Sequence, residues 1–305
     1  MSYSISFSRC LWKNGDILFK LANTLLNIDT NITFELEDDN ILNINYLKNN
    51  IKLKTTKIDG FFVDDFTNLP KKGKEITKIK IDSYINLIKS VAFCASTTEI
   101  IPTLASIYLY SLNNELYSVA TDSFRLVQKK IQFKIENDFS ILISQKNINE
   151  KISILENLKE EYGNNSEITL YNNDNLLTVE IENTIIVIRS ISGSFPDYKQ
   201  LFPKEFKTKI EINKNELKTS LNLSTIFVDS YSYIEMDINT EEKTIKFNSK
   251  NDKIGILNRE INPKNIEGDN IKVSYNSNYF LEGISNIDNE NIELLLTESN
   301  RPLFI

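Results

Sequence analysis

One short stretch of this chain decides which fold it is expected to adopt: Ser118–Leu126, with the sequence SVATDSFRL. Residues Tyr117 to Ala120 have the short apolar pattern of a β-strand, and a polar turn and an Arg-Leu pair follow them. A second stretch, Ser194–Tyr198, reads SFPDY and has the composition of a proline-containing connection. Either string alone is typical of a turn between strands, so their interpretation depends on the pattern in the rest of the chain.

The composition is that of a soluble globular protein, with 41% hydrophobic and 25% charged residues in 305. This length allows two or three domains. No apolar run reaches the length of a membrane span, and residues 1–12 lack the pattern of a secretory signal. Cys10 and Cys94 are the two cysteines, and their spacing predicts thiols rather than a disulfide or metal site. We therefore expect a cytoplasmic protein with no membrane partner.

Several kinds of chemistry are excluded by what the sequence lacks. It has no histidine, which removes histidine bases, Ser-His-Asp triads and HExxH metal sites. No GxxxxGK[ST] or GxGxxG loop is present to hold a nucleotide phosphate, and we expect no cofactor. The net charge of −7 argues against a uniformly basic nucleic-acid binder, although a local basic surface can still bind DNA.

Hydrophobic spacing divides the chain into three blocks, 1–73, 74–195 and 196–305, with a lysine-rich linker after Pro70. The first block is predicted to contain a helix over Gly15–Asn27 and strands over Ile32–Leu36, Ile41–Ile44 and Ile51–Thr55. The second is predicted to begin with a strand over Thr77–Ile81 and a helix from Asp82, as N-cap, to about Ala95. A hairpin across Asn113-Asn114, a helix over Lys146–Glu161 and further strands follow.

The third block repeats the order of the second. Thr208–Ile212 matches Thr77–Ile81 almost letter for letter, and Asn213 is predicted to cap the helix that follows. A second helix over about Asn276–Ile287 and a strand over Ile292–Leu296 complete the pattern. Self-similarity at this scale indicates a repeated domain.

Together with this repeat, the two strings resemble VATD-x-x-RL and FPDY, two signatures of the bacterial DNA polymerase sliding clamp, the β subunit of the replicase. The resemblance covers about residue 15 to the end. It implies an α+β fold of repeated DNA-clamp domains, each with two helices packed on antiparallel sheets. It also implies a non-catalytic subunit of a DNA polymerase holoenzyme, which encircles duplex DNA as a head-to-tail homodimer.

The resemblance has departures. The first block corresponds only to the second half of a clamp domain, and the last ends before the final strand and tail, so both domains are expected to be incomplete. Ser123 and Phe124 stand where the family usually has Gly and His. The alternative reading is accordingly a truncated clamp that keeps a peptide pocket but cannot encircle DNA. A metal-dependent hydrolase using Asp122 and Asp197 is a remote third.

The resemblance assigns a pocket for the replicative polymerase, the clamp loader and other proteins with a clamp-binding motif. Its residues here are Leu104, Thr121, Ser123, Phe124, Arg125, Leu126, Pro196, Leu201 and Pro302. Any single leucine among them is more often plain core.

Sequence-independent contacts to DNA are assigned to a second set: Lys20, Lys89, Thr97, Thr98, Thr103, Gln145 and Lys146. A solvated helix face explains the lysines equally well, because Glu150 and Glu156 are interspersed among them. For the dimer, Ile51 and Leu53 align with one side of the contact and Ile226 and Phe227 with the other. An edge strand protected by Lys52 and Lys54 is the alternative for the first pair.

Overall fold

The computed structural model describes residues 10–11, 15–25, 31–37, 41–54, 56–57, 73–146, 148–173 and 175–305. The chain divides into two compact units, Met1–Gly73 and Lys74–Ile305. The first unit has the bounds of the first block of the sequence, and the second contains the two repeated blocks.

The first unit is built around a three-stranded antiparallel sheet in the order β2-β3-β4. Its described elements are β1 (Cys10–Leu11), α1 (Gly15–Leu25), β2 (Ile32–Glu37), β3 (Ile41–Tyr46), β4 (Asn49–Lys54) and β5 (Thr56–Lys57). Leu25, Leu42 and Ile44 form its small core. The short strand β1 pairs with β5, and neither was predicted from the sequence, because two residues are too few to display a period. The predicted end of the first helix, at Asn27, lies outside the described residues.

The central repeat consists of two four-stranded antiparallel sheets with two helices packed together. Its elements are β6 (Lys74–Lys80), α2 (Ile81–Ala92), β7 (Ser106–Leu112), β8 (Glu115–Thr121), β9 (Leu126–Gln132), β10 (Ser140–Ser144), α3 (Ile148–Tyr162), β11 (Glu167–Asn173), β12 (Leu176–Ile181) and β13 (Thr184–Arg189). The sheets have the orders β10-β7-β8-β9 and β13-β12-β11-β6. Buried residues of both sheets and both helices form one continuous core.

The hairpin between β7 and β8 turns at Asn113 and Asn114, as predicted. Both residues have positive φ, 54° and 59°. A two-residue turn that follows the twist of its strands needs two left-handed residues, and asparagine adopts that conformation more readily than most.

Two helices of the central repeat differ from the prediction. Helix α2 begins at Ile81, one residue before the predicted cap, so Asp82 lies in its first turn and Lys80 occupies the N-cap position without a side-chain capping bond. The helix ends at Ala92 rather than Ala95, and α3 begins at Ile148 rather than Lys146. Apolar spacing locates a helix well but places its ends poorly.

The third repeat also has two helices and two antiparallel sheets, one of which has the same strand order as in the central repeat. Its elements are β14 (Thr208–Asn213), α4 (Lys214–Ile226), β15 (Tyr233–Asn239), β16 (Thr244–Asn251), β17 (Gly255–Ile261), β18 (Asn265–Gly268), β19 (Ile271–Asn276), α5 (Ser277–Ser285) and β20 (Asn291–Leu296). A 3₁₀ turn, Tyr198–Leu201, precedes them. The order β17-β16-β15-β19 is that of β9-β8-β7-β10 in the central repeat. The second sheet has the order β18-β14-β20.

Asparagine caps both helices of the third repeat. Asn213 accepts hydrogen bonds from the backbone amides of Asn215 and Glu216, as predicted, and Asn276 does the same at α5, which ends at Ser285 rather than Ile287. After β20 the chain returns, and Phe304 forms an isolated antiparallel bridge with Leu295.

The predicted fold class is confirmed: antiparallel sheets carry two packed helices in each of the two repeats of the second unit. None of the helices that the structure describes is long and apolar enough to cross a membrane.

Candidate functional site

The turn between β8 and β9 is held by its own side chains. The Thr121 hydroxyl donates to the carbonyl of Arg125 at 2.7 Å. Asp122 Oδ1 accepts from the amides of Phe124 and Arg125, both at 3.0 Å. Ser123 has a φ of 79°, a left-handed conformation that glycine adopts without strain and serine does not. The turn therefore has a fixed shape and presents Phe124 outward, with 80% of its surface exposed.

The second motif packs on the outer face of the β7-β8 sheet. The Phe195 ring stacks on Tyr108 with a centroid distance of 5.0 Å. The Tyr198 hydroxyl lies 2.6 Å from that of Tyr110 and donates to Gln128 Oε1, also at 2.6 Å. Burial, followed by the bond to Tyr110, raises the pKa of Tyr198 above its usual range. The motif is thus anchored by rings that the sequence analysis did not single out.

The two motifs meet at Leu126. This half-buried side chain packs in one cluster with Phe195, Tyr198 and Val119. The 3₁₀ turn that starts at Tyr198 ends at Leu201, which is 56% exposed. The structure therefore brings the predicted Leu126 next to the FPDY segment and leaves two large apolar side chains exposed, Phe124 in the first motif and Leu201 just after the second.

The end of the chain contributes to the same neighbourhood. The Phe304 ring lies 5.5 Å from Phe202, which follows Leu201, and Phe202 in turn lies 6.2 Å from Tyr198. Of the other predicted pocket residues, Leu104 is half-buried and Pro196 and Pro302 are exposed. Their role in a pocket stays a prediction.

Helix α5 also reaches the first motif, which the sequence analysis missed. Arg125 contacts Glu282 through an ion pair of 2.5 Å and lies 4.6 Å from the centroid of the Tyr279 ring. The Phe124 and Tyr279 rings are 6.1 Å apart. No pattern in the sequence predicts that Arg125 contacts residues more than 150 positions away. The cap at Asn276 indicates only where α5, the helix that carries Tyr279 and Glu282, begins.

Two of the three lysines proposed for DNA have acidic neighbours. Lys89 on α2 pairs with Glu156 on α3 at 2.6 Å, and Lys146 pairs with Glu99 at 3.6 Å. Lys20 is exposed on α1. The other predicted contacts differ in exposure: Thr97 and Thr98 are exposed, and Thr103 and Gln145 are half-buried.

The two predicted dimer surfaces have different characters. Ile51 and Leu53 are half-buried and pack against the core of the first unit, and among its described strands β4 is at the edge of the sheet β2-β3-β4. Its exposed Lys52 pairs with Glu37 at 2.9 Å. Ile226 is 55% exposed, and a Cβ at Gly255 would lie 3.8 Å from the Phe227 ring, which places the start of the edge strand β17 beside that helix end.

Asp122 and Asp197 each have a neutralising or hydrogen-bonding partner of their own. Asp122 Oδ2 accepts from Arg125 Nε at 3.0 Å, and Asp197 Oδ2 accepts from Gln200 at 2.6 Å. Within the described ranges, no group of three or more His, Cys, Asp and Glu residues is placed to hold a metal ion. Cys94 is a buried free thiol, and burial raises its pKa to about 12. These contacts give the hydrolase hypothesis no support.

Two family models match the second unit. The model for the central domain of the DNA polymerase III beta subunit matches residues 78–197, and the model for the C-terminal domain matches residues 199–305. Together they cover most of the chain and divide it between the two repeats.

Individual relatives agree with the family models. Proteins named "Beta sliding clamp" from Staphylococcus epidermidis and Staphylococcus aureus are 24% and 23% identical over 250 residues, which is 81% of this chain and 65% of theirs. The chain thus spans about two thirds of the length of these relatives. A DNA polymerase III subunit beta from Pseudomonas aeruginosa has a similar fold, with a TM-score of 0.81 and 18% identity, over 93% of this chain and 76% of that one. The DNA polymerase sliding clamp from Bacillus subtilis has a TM-score of 0.80 and is 21% identical, over 93% of this chain and 73% of that one.

Proposed function

We propose a function from the premise that this chain belongs to the family of DNA polymerase III beta subunits, the beta sliding clamps. In this proposal the chain is a non-catalytic processivity factor of the bacterial cytoplasm. Two copies, joined head to tail, encircle duplex DNA and tether the replicative polymerase through a short peptide motif.

One observation carries the tethering role: Leu126 and the FPDY segment share one cluster, with exposed apolar side chains at Phe124 and Leu201. Clefts for peptides are mostly apolar, with a few polar groups that fix orientation. We infer that the two apolar anchors of a clamp-binding peptide pack against Leu126 and Leu201. Because Leu201 is exposed, it is available to such a peptide without any rearrangement of the core.

A ring tethers its partners by topology and needs only weak contacts to the DNA. Contacts from lysines to phosphates carry no sequence information and weaken as salt rises. A bound polymerase is then held at high effective concentration near its template. The chain has no phosphate-binding loop of its own, so opening and loading of the ring are assigned to a separate clamp loader.

Closure of the ring would use the β4 edge of one copy and the region of Ile226 and Phe227 of the other. Ile254 and Ile256, both 61% exposed, extend the apolar surface beside the β17 edge. Two different surfaces that meet head to tail form a closed ring only if the rotation per subunit closes.

The decisive experiment measures fluorescence anisotropy of a labelled peptide that carries the clamp-binding motif of a replicative polymerase. We expect the parent chain to bind and Leu201→Asp to weaken binding by about tenfold or more, because a charge replaces an apolar anchor. Leu112→Asp is the matched control, since Leu112 is also exposed, at 39%, but belongs to the Asn113-Asn114 hairpin end. Equal affinity for the Leu201→Asp protein and the parent would overturn the pocket.

Sedimentation velocity of the chain alone tests for the dimer, and the same measurement after a bacterial clamp loader and ATP have acted on a nicked circular duplex tests the ring. A dimer that stays on circular DNA but slides off linear DNA supports the proposal. A monomer that still binds the peptide would favour the alternative of a clamp that keeps its pocket and does not encircle DNA.

A further inference from the structure

All three guanidinium nitrogens of Arg125 donate hydrogen bonds within the chain. Its Nε donates to Asp122 at 3.0 Å, Nη1 to Glu282 at 2.5 Å, and Nη2 to the carbonyl of Phe93 at 3.2 Å. The side chain is 19% exposed. Each nitrogen of the guanidinium therefore already has an acceptor, and the three acceptors come from three different segments.

Two aromatic rings also lie close to the guanidinium. Its carbon lies 4.6 Å from the centroid of Tyr279 and 5.4 Å from that of Phe93, both within the range of cation–π attraction. Burial lowers the pKa of Arg125, but the carboxylates of Glu282 and Asp122 more than offset this, and the resulting pKa lies above its usual value. The group stays charged, and two carboxylates of the chain itself, Asp122 and Glu282, already lie against it.

We propose that Glu282 is a positioning residue for the peptide cleft, acting through Arg125. The pair ties α5 of the third repeat to the turn of the central repeat, and so fixes the Tyr279 ring 6.1 Å from Phe124. This inference rests on the proposed function and changes one part of it: Arg125 shapes the cleft rather than binding the peptide directly.

The physical reason is preorganisation. Without Glu282, Arg125 keeps Asp122 and the Phe93 carbonyl, which belong to the central repeat, but loses its charged link to α5. The spacing of the Phe124 and Tyr279 rings then varies, and a peptide that packs beside them has to order them on binding. That ordering lowers affinity without removing any contact to the peptide.

A double-mutant cycle on peptide affinity tests this, with Glu282→Gln, Arg125→Gln and the double variant. We expect Glu282→Gln to weaken binding by about threefold to tenfold, and the double variant to bind no more weakly than Arg125→Gln alone. Glu241→Gln removes an exposed charge elsewhere in the third repeat and is expected to leave affinity unchanged. If Arg125→Gln does not fold, Arg125→Lys replaces it, because lysine cannot hold both carboxylates and the carbonyl at once.

Two outcomes would contradict the inference. Parental affinity of the Glu282→Gln protein would show that the link is irrelevant to the cleft. Losses that multiply in the double variant would show that Glu282 and Arg125 act independently, as residues do when each contacts the peptide. Failure of the parent itself to bind the peptide would instead reject the proposed function. Hydrogen exchange of α5 in the unliganded protein gives a second readout, and it is expected to rise in Glu282→Gln.

Discussion

The central and third repeats begin with almost the same sequence and then start their first helices differently. Thr77–Asp82 reads TKIKID, and Thr208–Asn213 reads TKIEIN. Asn213 caps α4 through two backbone amides, whereas Asp82 lies inside the first turn of α2. Asp82 instead pairs with Lys159 of α3 at 3.0 Å and accepts from Asn86. The same position thus stabilises a helix end in one repeat and a helix–helix contact in the other.

This difference between the two helix starts reflects where the helices of each repeat carry charged side chains. In the central repeat α2 and α3 are joined by two lysine–carboxylate pairs, Lys159 with Asp82 and Lys89 with Glu156. In the third repeat the sequence of α5 contains no lysine or arginine. Its other helix, α4, carries Lys214 and Lys218, so the helices of both repeats contain cations, and in the central repeat two of them are paired with acids across the helix–helix contact.

The largest expected effect is on the shared core. Ile79 and Ile210 are equivalent residues, both fully buried, and replacing either by Ala should destabilise the protein by about 2–5 kcal/mol through lost burial and a cavity. Because both lie in one compact unit, we expect each change to lower the same unfolding transition in a chemical denaturation curve. Separate transitions for the two variants would mean that the repeats unfold independently.

The helix starts come next. Asn213→Ala should cost about 1 kcal/mol, the usual cost of losing a cap. Asp82→Ala should cost less, because it removes a solvent-screened ion pair, and about 0–1 kcal/mol is typical of such pairs. Urea denaturation of both variants measures this order. The reverse order would show that Asp82, and not Asn213, is the more important of the two residues.

A smaller effect is expected on DNA. Lys89→Gln should weaken binding of a labelled duplex by about twofold to threefold at low salt, and Glu156→Gln should strengthen it by a similar factor, since Glu156 competes with phosphate for Lys89. Glu241→Gln is the control, because it removes one negative charge, as Glu156→Gln does, but from an exposed position in the third repeat. If Glu156→Gln and Glu241→Gln increase affinity alike, the lysine pair has no special part in binding.

The smallest effect concerns pH and cross-strand pairs. Hydrogen bonds from Tyr117 and Lys130 lower the pKa of Glu115 below its usual 4.5, so this stabilisation is present above pH 4.5 and is lost as pH falls through the lowered pKa. In the third repeat, the hydrogen bond to Glu235 raises the pKa of Lys272 above 10.5. The stabilisation from this pair is therefore lost as pH rises through the raised pKa. Glu115→Gln should flatten only the acid side of a curve of melting temperature against pH, and Lys272→Gln only the alkaline side. A change on the opposite side in either variant would contradict the assignment.

Much of this protein follows from the sequence by itself. Period-two and helical spacing located the helices and most strands of the central repeat, because a residue on a buried face has to be apolar wherever that face lies. The hairpin at Asn113-Asn114 and the cap at Asn213 follow from local backbone chemistry, which involves only neighbouring residues. The repeat and the two motifs were sufficient for the family, which the family models confirm.

Only the tertiary structure decided how those elements are used. Asp82 stands in the sequence where a helix cap is expected, but its side chain pairs with Lys159. Arg125 was predicted to line a pocket, but its side chain contacts Glu282 and Tyr279. In each case the deciding partner is far away in the chain. Local sequence determines which conformations a segment prefers, whereas the partner of a charge or ring depends on which distant surfaces the packed core brings together.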